Sequence, residues 1–314
     1  MKLTTAVLVP CFNEEAAIGK VVADFRKALP DATVYVYDNN STDKTIEVAT
    51  AAGAVVRREQ RRGKGNVVRR MFQDIEADVY VMVDGDDTYD ASRAPELVNK
   101  LVDENLDMVV GRRIETHQAA YRAGHRLGNA VLTGLVSKLF GAQIVDMLSG
   151  YRVFSRRFAK SFPSSSREFE IETELTVHAL ELGIPFSEFE TPYFARPEGS
   201  QSKLSTFRDG WKILVTIVKL VKGERPLAFF TAIGGLLVAA SLAVGIPLWF
   251  EFFETGLVPR QPSAVLATGL MLSAFLSFAC GLILDTVTKG RQEMKRLAYL
   301  ALPSLAARGD ARPG

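Results

Sequence analysis

The chain has few of the residues that build disulfide frameworks or zinc sites. Its 314 residues include only two cysteines and three histidines. Cys11 and Cys280 are too far apart in sequence to indicate a disulfide framework, and they suit a reducing compartment. The histidines, His117, His125 and His178, do not show the spacing of metal ligands, so we expect no zinc site.

The chain also lacks an excess of charge of either sign. It has 38 lysines and arginines against 36 aspartates and glutamates, a net charge of +2. This balance argues against nucleic acid as a partner. The first residues lead directly into a predicted strand, so we expect no secretory signal peptide. The length exceeds that of one average domain and indicates a large core with an appendage, or two domains.

Short apolar strands alternate with amphipathic helices over the first 200 residues. The predicted strands cover 6–9, 34–37, 54–56, 79–83 and 108–110, and the predicted helices 14–29, 41–52 and 65–75. Ser41 or Thr42 would cap the second helix. Further along, we predict a helix over 122–140, a turn and strand over 149–154, a helix over 169–182 and a strand over 186–194. This alternation predicts an α/β fold, a mostly parallel sheet with helices on both faces and right-handed crossovers.

Two long apolar segments follow the α/β region. Residues 227–250 carry no charge, and residues 263–287 carry only Asp285, near the end. Each is long enough to cross a bilayer, so we predict two transmembrane helices and an integral membrane protein. Lysines and arginines flank the pair on both outer sides, whereas the connecting loop has a single arginine, Arg260. The positive-inside rule therefore predicts that both flanks, and the α/β region, are cytoplasmic.

A shorter amphipathic segment precedes the first apolar one. Between residues 204 and 221, Phe207 and Trp211 interleave with Lys212 and Lys219. The pattern favours a helix lying in the membrane interface. A helix packed on the α/β region would show the same pattern, and the sequence leaves both open.

An acidic turn follows the predicted strand 79–83. Its residues are Asp84, Gly85, Asp86 and Asp87. Open α/β sheets bind ligands at the carboxyl ends of their strands. Carboxylates this close repel one another unless a cation lies among them, and Mg²⁺ or Mn²⁺ prefers oxygen ligands. The alternative is a plain acidic turn in which Gly85 supplies a positive φ.

Other strand ends carry polar groups suited to a nucleotide or a phosphate. Residues 10–14 follow the first strand, Asp38 ends the second, and residues 61–65 combine cations with glycines. Arg112, Arg113, Arg122 and Arg126 form a basic set that would neutralise a second phosphate. Each feature alone also fits a solvated surface or a cap. Their shared position at strand ends favours a binding site.

The motifs together resemble family 2 glycosyltransferases with the GT-A fold, of the polyprenyl-phosphate or dolichyl-phosphate hexose synthase type. The resemblance rests on VPCFNEE at 9–15, YDNNSTDKT at 37–45, RGKGN at 62–66, VDGDDTYDA at 83–91, GRR at 111–113, RLGN at 126–129, DMLSGYRVF at 146–154 and GSQSKL at 199–204. It covers essentially all of residues 5–205. One departure is Asn39, where these enzymes usually have a second aspartate. The other is DGDD at 84–87, where many have Asp-Ala-Asp.

The resemblance implies roles for specific residues. The nucleotide-sugar site would comprise Pro10, Asn13, Glu14, Asp38, Arg62, Lys64 and Asp84. Asp84 and Asp86 would hold Mg²⁺ or Mn²⁺. The phosphate of a polyprenyl phosphate acceptor would bind Arg112, Arg113, Arg122, Arg126, Ser202 and Lys203. The catalytic group would be Asp84, Asp86, Arg113 and Arg126, and transfer would proceed by direct displacement with inversion.

The implied organisation is a glycosyltransferase domain over 1–203, a juxtamembrane helix over 204–225, a membrane region over 226–288 and a cytoplasmic tail over 289–314. The resemblance favours a UDP-sugar donor, with GDP-mannose as the alternative, and is compatible with a tetramer. A nucleotidyltransferase would need neither the spans nor the basic set. A processive polysaccharide synthase would carry a Gln-x-x-Arg-Trp motif, which this sequence does not contain. A non-catalytic membrane adaptor would tolerate neutralisation of the acidic turn.

Overall fold

The computed structural model describes residues 3–115, 133, 134, 136, 144–163, 171–196, 215 and 218–310. Most of the predicted helices 122–140 and 204–225 lies outside these residues, and the described positions 133, 134, 136, 215 and 218–224 are helical. The strands are β1 (Thr5–Cys11), β2 (Thr33–Asp38), β3 (Val55–Arg58), β4 (Val79–Met82), β5 (Met108–Glu115), β6 (Arg152–Ser155) and β7 (Phe186–Tyr193). The helices are α1 (Ile18–Ala28), α2 (Thr45–Ala51), α3 (Lys64–Asp74), α4 (Ala94–Asp103), α5 (Arg156–Ser161), α6 (Ile171–Leu182), α7 (Pro226–Thr255), α8 (Gln261–Leu300) and α9 (Leu305–Asp310).

The seven strands form one mostly parallel sheet, as predicted. Their order is β3-β2-β1-β4-β6-β5-β7. β6 is antiparallel to both β4 and β5, and the other neighbouring pairs are parallel. Strands β1, β2 and β4 end side by side, because β1 lies between the other two. The polar segments that follow these three strands therefore meet at one edge of the sheet.

Alternate side chains of the strands enter two hydrophobic clusters, one on each face of the sheet. Leu8, Tyr80 and Met82 contribute to the cluster that includes α3 and α6. Val9 and Val81 contribute to the cluster that includes α1 and α4. Because both faces are covered by helices, the central strand β4 is apolar and buried along its whole length.

Residues 1–213 and 295–314 form one compact unit, so the C-terminal segment belongs with the sheet. Tyr299 is buried in the first hydrophobic cluster and Leu305 in the second. The Tyr299 hydroxyl donates to Asp107 Oδ2 at 2.5 Å, and the Arg157 guanidinium carbon lies 4.2 Å from the Tyr299 ring centroid. The sequence pattern did not indicate that residues of the predicted tail contribute to the core.

Residues 214–294 form a second unit that contains most of two long apolar helices. α7 and α8 are long and apolar enough to cross a membrane, which confirms two apolar C-terminal helices. Their large side chains remain exposed: Leu236 is 73% exposed, Phe253 76% and Val265 73%. Core helices of a soluble protein would bury such residues.

Two local predictions differ from the structure. α2 begins at Thr45, beyond both predicted caps, because Asp43 Oδ1 accepts from the Thr45 amide at 3.0 Å. Helix α4 and the short α5 were not predicted. α4 has Pro95 in its first turn, and α5 begins with the Ser155 hydroxyl accepting from the Phe158 amide at 3.1 Å.

Candidate active site

The acidic turn leaves the sheet at the end of β4, beside the end of β1. Gly85 does not have a positive φ, so the alternative interpretation, in which it supplies one to a plain acidic turn, is wrong on this point. A Cβ on Gly85 would lie 2.6 Å from Cys11 Sγ, which shows that the position lacks space for a side chain. The positive φ belongs to Asp87, at 58°, whose carboxylate pairs with Lys20 at 2.8 Å. Close packing against β1 thus places Asp84 and Asp86 at the sheet edge.

Lys64 lies between two carboxylates at this edge. It begins α3, and its ammonium group pairs with both Asp84 and Glu172. The side chains of Lys64 and Glu172 are only 9% and 7% exposed. Burial by itself would lower the pKa of Lys64, but the charges and hydrogen bonds of the two carboxylates raise it above its usual value. The lysine is therefore a fixed cation beside the acidic turn.

Gly150 allows Asp84 to adopt this position. A Cβ on Gly150 would lie 2.3 Å from Asp84 Oδ2. The Gly150 amide donates to the Tyr89 hydroxyl at 2.9 Å. The fully buried Arg152 donates to the Ser149 carbonyl at 2.9 Å, which fixes the same segment from the other side. The turn before β6 is thus part of the wall against which Asp84 lies.

Asp86 is the more buried of the two candidate metal ligands. Its Oδ1 accepts from the Thr88 hydroxyl at 2.6 Å, and its Oδ2 pairs with Arg196 at 2.7 Å. Burial raises the pKa of Asp86, and the charge of Asp84 raises it further. Two carboxylates this close favour an additional cation. Arg196 supplies one positive charge, and it follows the last strand of the sheet.

The donor set at the turn fits a hard divalent cation that is completed by a substrate. Among the described residues, no three His, Cys, Asp or Glu side chains cluster as a preformed metal cage. Mg²⁺ is commonly held by one or two carboxylates together with substrate phosphates. Asp84 and Asp86 provide such a pair of oxygen donors, so these residues fit the ion that the sequence implied.

The loops after β1 and β2 are tied together at the same edge. The Asp38 carboxylate accepts from the Asn40 and Ser41 amides, each at 3.1 Å. The Asn13 side-chain oxygen accepts from the Thr42 amide at 2.8 Å. The buried Glu14 donates its amide to the Thr45 hydroxyl at 2.8 Å. Asp38 and Asn13 therefore shape these loops, whatever ligand they also contact.

The remaining predicted nucleotide-site residues show different degrees of exposure. Pro10 pairs with Tyr37 in the β1–β2 register and is half-buried. Arg62 is exposed, and its carbonyl accepts from the Asn66 side chain at 2.8 Å. Arg62 therefore leaves its side chain at the surface, next to the buried Lys64.

Two predicted phosphate-binding arginines, Arg112 and Arg113, are on β5, and their side chains pair with different carboxylates. Arg113 donates to both oxygens of Asp146, at 2.7 Å each, and lies 5.4 Å from the Tyr193 ring centroid. Burial alone would raise the pKa of Asp146, but these hydrogen bonds lower it. Arg112 instead pairs with the exposed Glu190, because consecutive strand residues face opposite sides.

Tyr193 links Arg113 to the acidic turn. Burial raises the pKa of Tyr193, the charge of Asp86 raises it further and that of Arg113 lowers it. The structure thus brings Asp84, Asp86, Lys64 and Arg113 into one region. It separates Arg112 from Arg113. Arg122, Arg126, Ser202 and Lys203 lie outside the described residues.

Sequence reasoning did not identify Glu172 and Arg196 as site residues. Glu172 belongs to a helix noted only as rich in carboxylates, and nothing in its local pattern distinguishes it from Glu174. Arg196 stands two residues beyond the predicted strand 186–194. Only its position in the sequence could have indicated Arg196, because it follows the end of a predicted strand, as the other site residues do.

Comparison with known proteins identifies this arrangement. The sequence model of the family Glycosyl transferase family 2 matches residues 6–162. The glycosyltransferase AglJ of Haloferax volcanii is 32% identical over 297 residues, which cover 94% of this chain and 97% of that protein. A dolichyl-phosphate hexose transferase of the same organism is 30% identical over 220 residues, which cover 70% of this chain and 95% of that protein.

Among solved structures, a glucosyl-3-phosphoglycerate synthase from Mycobacterium tuberculosis shares the fold. It was crystallised with Mn²⁺, UDP-glucose and phosphoglyceric acid. The TM-score is 0.57 and the identity 23%, over 70% of this chain and 79% of that chain.

Proposed function

Because this chain belongs to glycosyltransferase family 2, we propose that it transfers a hexose from a nucleotide sugar to a membrane polyprenyl phosphate. The observation that carries the proposal is that Lys64 pairs with Asp84 of the acidic turn, in a chain that also has two helices of membrane-spanning length. The similarity to a dolichyl-phosphate hexose transferase supports a lipid phosphate acceptor.

We propose a UDP-sugar as the donor, with GDP-mannose as the second candidate. Pro10, Asn13, Glu14 and Asp38 would surround the base and ribose, because they lie at or just after the ends of β1 and β2, on one side of β4. The fold neighbour that binds UDP-glucose supports this choice by analogy only. The buried Lys64 and the exposed Arg62 would donate to diphosphate oxygens.

Asp84 and Asp86 would hold Mg²⁺ or Mn²⁺ together with the donor diphosphate. The ion would stabilise the charge that develops on the departing nucleoside diphosphate. Lys64 adds a positive charge that its two carboxylate partners hold beside the acidic turn. Neither aspartate needs to remove a proton, since the attacking phosphate is already an anion at neutral pH.

The acceptor phosphate would be received by arginines. Arg112 and Arg113 are the described members of this group, and of the two Arg113 lies with the acidic turn. Arg126 is its proposed companion, and Arg122, Ser202 and Lys203 are further proposed ligands of the phosphate. An oxygen of the lipid phosphate forms a bond to the anomeric carbon, while the bond from that carbon to the diphosphate breaks. The electron pair leaves with the diphosphate, and the configuration inverts. The arginines offset the repulsion between the two anions.

The proposed location is the membrane, with residues 1–203 in the cytoplasm. A long isoprenoid remains in the bilayer, so an enzyme that uses it gains from being held at the headgroups. Lysines and arginines flank the apolar segments 227–250 and 263–287 on their outer sides, in agreement with a cytoplasmic catalytic domain. A homo-oligomer completes the proposal, and the family resemblance is compatible with a tetramer.

The test uses the full-length protein in nanodiscs that contain undecaprenyl phosphate. Labelled UDP-glucose, UDP-galactose, UDP-N-acetylglucosamine and GDP-mannose are supplied separately with Mg²⁺ or Mn²⁺. We expect one donor to yield label in the organic phase, together with nucleoside diphosphate, only when the lipid phosphate is present. Transfer to a water-soluble phosphorylated acceptor, with no lipid product, would overturn the proposed acceptor.

The metal assignment is tested by Asp86→Asn against Asp87→Asn. Both variants remove one carboxylate from the same turn, but only Asp86 is proposed as a ligand, while Asp87 pairs with Lys20. Asp86→Asn should abolish divalent-dependent transfer, and Asp87→Asn should largely retain it. Full activity of Asp86→Asn would contradict the assigned role. A wild type that transfers no sugar from any of the donors would favour a non-catalytic adaptor.

A further inference from the structure

Asn39 stands beside Asp38 and binds three backbone groups of a distant loop. Its side-chain nitrogen donates to the Glu59 carbonyl at 2.9 Å and to the Arg61 carbonyl at 2.8 Å. Its side-chain oxygen accepts from the Gly63 amide at 2.7 Å. The residue is only 8% exposed. The side chain thus uses both amide hydrogens and its oxygen to fix residues 59–63, which we call the basic loop.

The basic loop delivers Lys64 to the acidic turn. Gly63 has φ 114° and precedes the first residue of α3. The Asn66 side chain holds the Arg62 carbonyl from within α3, at 2.8 Å. Asn39 therefore secures the loop from the β2 side and Asn66 from the helix side. Between these two attachments the chain turns so that Lys64 reaches Asp84 and Glu172.

Only an amide can make the Asn39 contacts. The side-chain nitrogen has two donor hydrogens and the oxygen is an acceptor, whereas an ionised aspartate only accepts. An aspartate at position 39 would place its negative charge against the carbonyls of Glu59 and Arg61. A buried polar group that loses its partner costs more than the lost bond itself. The asparagine at this position is therefore required by the loop and is not a weakened acidic ligand.

Asn40 adds a second attachment to the same loop. Its φ is 65°, a conformation that asparagine tolerates better than most residues. Its side-chain nitrogen donates to the Gln60 carbonyl at 2.9 Å. Its backbone amide donates to Asp38. The loop after β2 and the basic loop thus form one hydrogen-bonded assembly that includes the carboxylate proposed to contact the base.

We propose that Asn39 is a positioning residue of the donor site, which holds the basic loop so that Lys64 and Arg62 meet the diphosphate of the nucleotide sugar. The inference rests on the proposed function for the identity of that ligand. It deepens that function by assigning the side of the substrate on which Asn39 acts. Asn39 acts through the loop and does not itself touch substrate.

The kinetic test compares Asn39→Asp and Asn39→Ala with Asn105→Asp. Asn105 also has a positive φ, at 49°, but it is exposed and follows α4, away from the basic loop. Asn39→Asp should raise the KM for the nucleotide sugar about tenfold and leave the KM for the lipid phosphate within about twofold. Asn39→Ala should have a smaller effect, because it removes the bonds without adding a charge. Asn105→Asp should match the wild type.

Which of Asn39→Asp and Asn39→Ala impairs the enzyme more distinguishes a positioning role from simple space filling. A side chain that only fills space would be replaced better by the isosteric aspartate than by alanine. The proposal is overturned if Asn39→Asp is equal to the wild type or milder than Asn39→Ala. It is also overturned if the two KM values rise together.

A proteolysis test measures how firmly the basic loop is held and does not depend on catalytic activity. Trypsin cleaves after the exposed Arg61 and Arg62, and Arg260, 62% exposed in the segment between α7 and α8, serves as the reference in the full-length protein. Asn39→Asp should accelerate cleavage in the basic loop relative to cleavage after Arg260. An unchanged ratio would reject the proposal. If the wild type transfers no sugar but the ratio rises, the proposed function fails while the loop attachment stands.

Discussion

Lys64 and Glu172 are 108 residues apart in sequence, yet the lysine ammonium and the glutamate carboxylate form a buried ion pair. Lys64 pairs with Asp84 at the same time. Removing one partner of a buried charge pair leaves the other charge poorly compensated. Glu172 is therefore expected to hold the lysine in place for the donor, although it belongs to a helix outside the motifs.

Glu172→Gln tests this relationship. The variant keeps the shape of the side chain but removes its charge, so Lys64 should be held by Asp84 alone. We expect kcat/KM for the nucleotide sugar to fall roughly tenfold, as for loss of a charged hydrogen bond. Steady-state kinetics measures the change. Glu104→Gln, which alters an exposed pair with Lys100, serves as control and should have little effect. Equal kinetics for both variants would show that Glu172 has no role in the site.

Gly150→Ala should displace Asp84. The added Cβ would lie 2.3 Å from Asp84 Oδ2, so the carboxylate or the turn must move. We expect transfer to fall by about two orders of magnitude, since small displacements of reacting groups cost this much. Metal affinity, measured by Mn²⁺ titration, should fall with it.

Gly290→Ala is the matched change, because nothing lies within 4 Å of a Cβ there. It should retain activity. Wild-type Mn²⁺ affinity in Gly150→Ala would mean that Asp84 is not part of the metal site.

Tyr299→Phe should destabilise the unit that contains the sheet. It removes the phenol that donates to Asp107, a buried carboxylate that also binds Arg157. The expected loss in free energy of unfolding is about 1–2 kcal/mol, which lowers Tm by roughly 2–8 °C. Thermal unfolding of the full-length protein in detergent measures it. Leu297→Ala changes an exposed side chain of the same helix and should leave Tm nearly unchanged. A Tm for Tyr299→Phe equal to that of the wild type would show that the hydrogen bond from Tyr299 to Asp107 does not contribute to stability.

His178 should make the fold sensitive to acid. Neither ring nitrogen has a hydrogen-bond partner in the part of the chain that the structure describes, and the rings of Phe158 and Phe162 pack against it edge-on. Burial and, to a smaller extent, the charge of Lys295, which is itself paired with Glu181, lower the pKa of His178 to about 3. The unfolded chain therefore binds more protons than the folded one below the ordinary histidine pKa. Stability from this group falls as the pH drops from about 6.5 towards 3, by up to about 1.4 kcal/mol per pH unit.

His178→Leu removes this titration. Its Tm should decline less than that of the wild type between pH 6.5 and pH 4.5, in differential scanning measurements at matched ionic strength. Parallel declines for the two proteins would exclude His178 as a source of the acid sensitivity.

Much of the fold could be predicted because it depends on local patterns. The alternation of short apolar runs with amphipathic segments correctly predicted β1 to β4 and the helices between them. The length of residues 227–250 and 263–287 correctly predicted two long apolar helices. The α4 and α5 helices were missed because Pro95 and Ser155 resemble loop residues unless their positions in a first turn or a cap are known.

The sequence by itself determined which chemistry was present: an acidic turn at the end of an apolar strand, a basic loop and two apolar segments. These depend on neighbouring residues, whose properties are local. Only the tertiary structure decided which charged side chains form ion pairs with one another. Lys64 pairs with Glu172, Arg113 with Asp146 and Arg196 with Asp86, because the order of the strands brings distant segments to one edge. The tertiary structure also decides where a side chain has no room. Gly85 must be a glycine because Cys11 lies against it, and Gly150 because Asp84 does, and such close contacts exist only after the chain has folded.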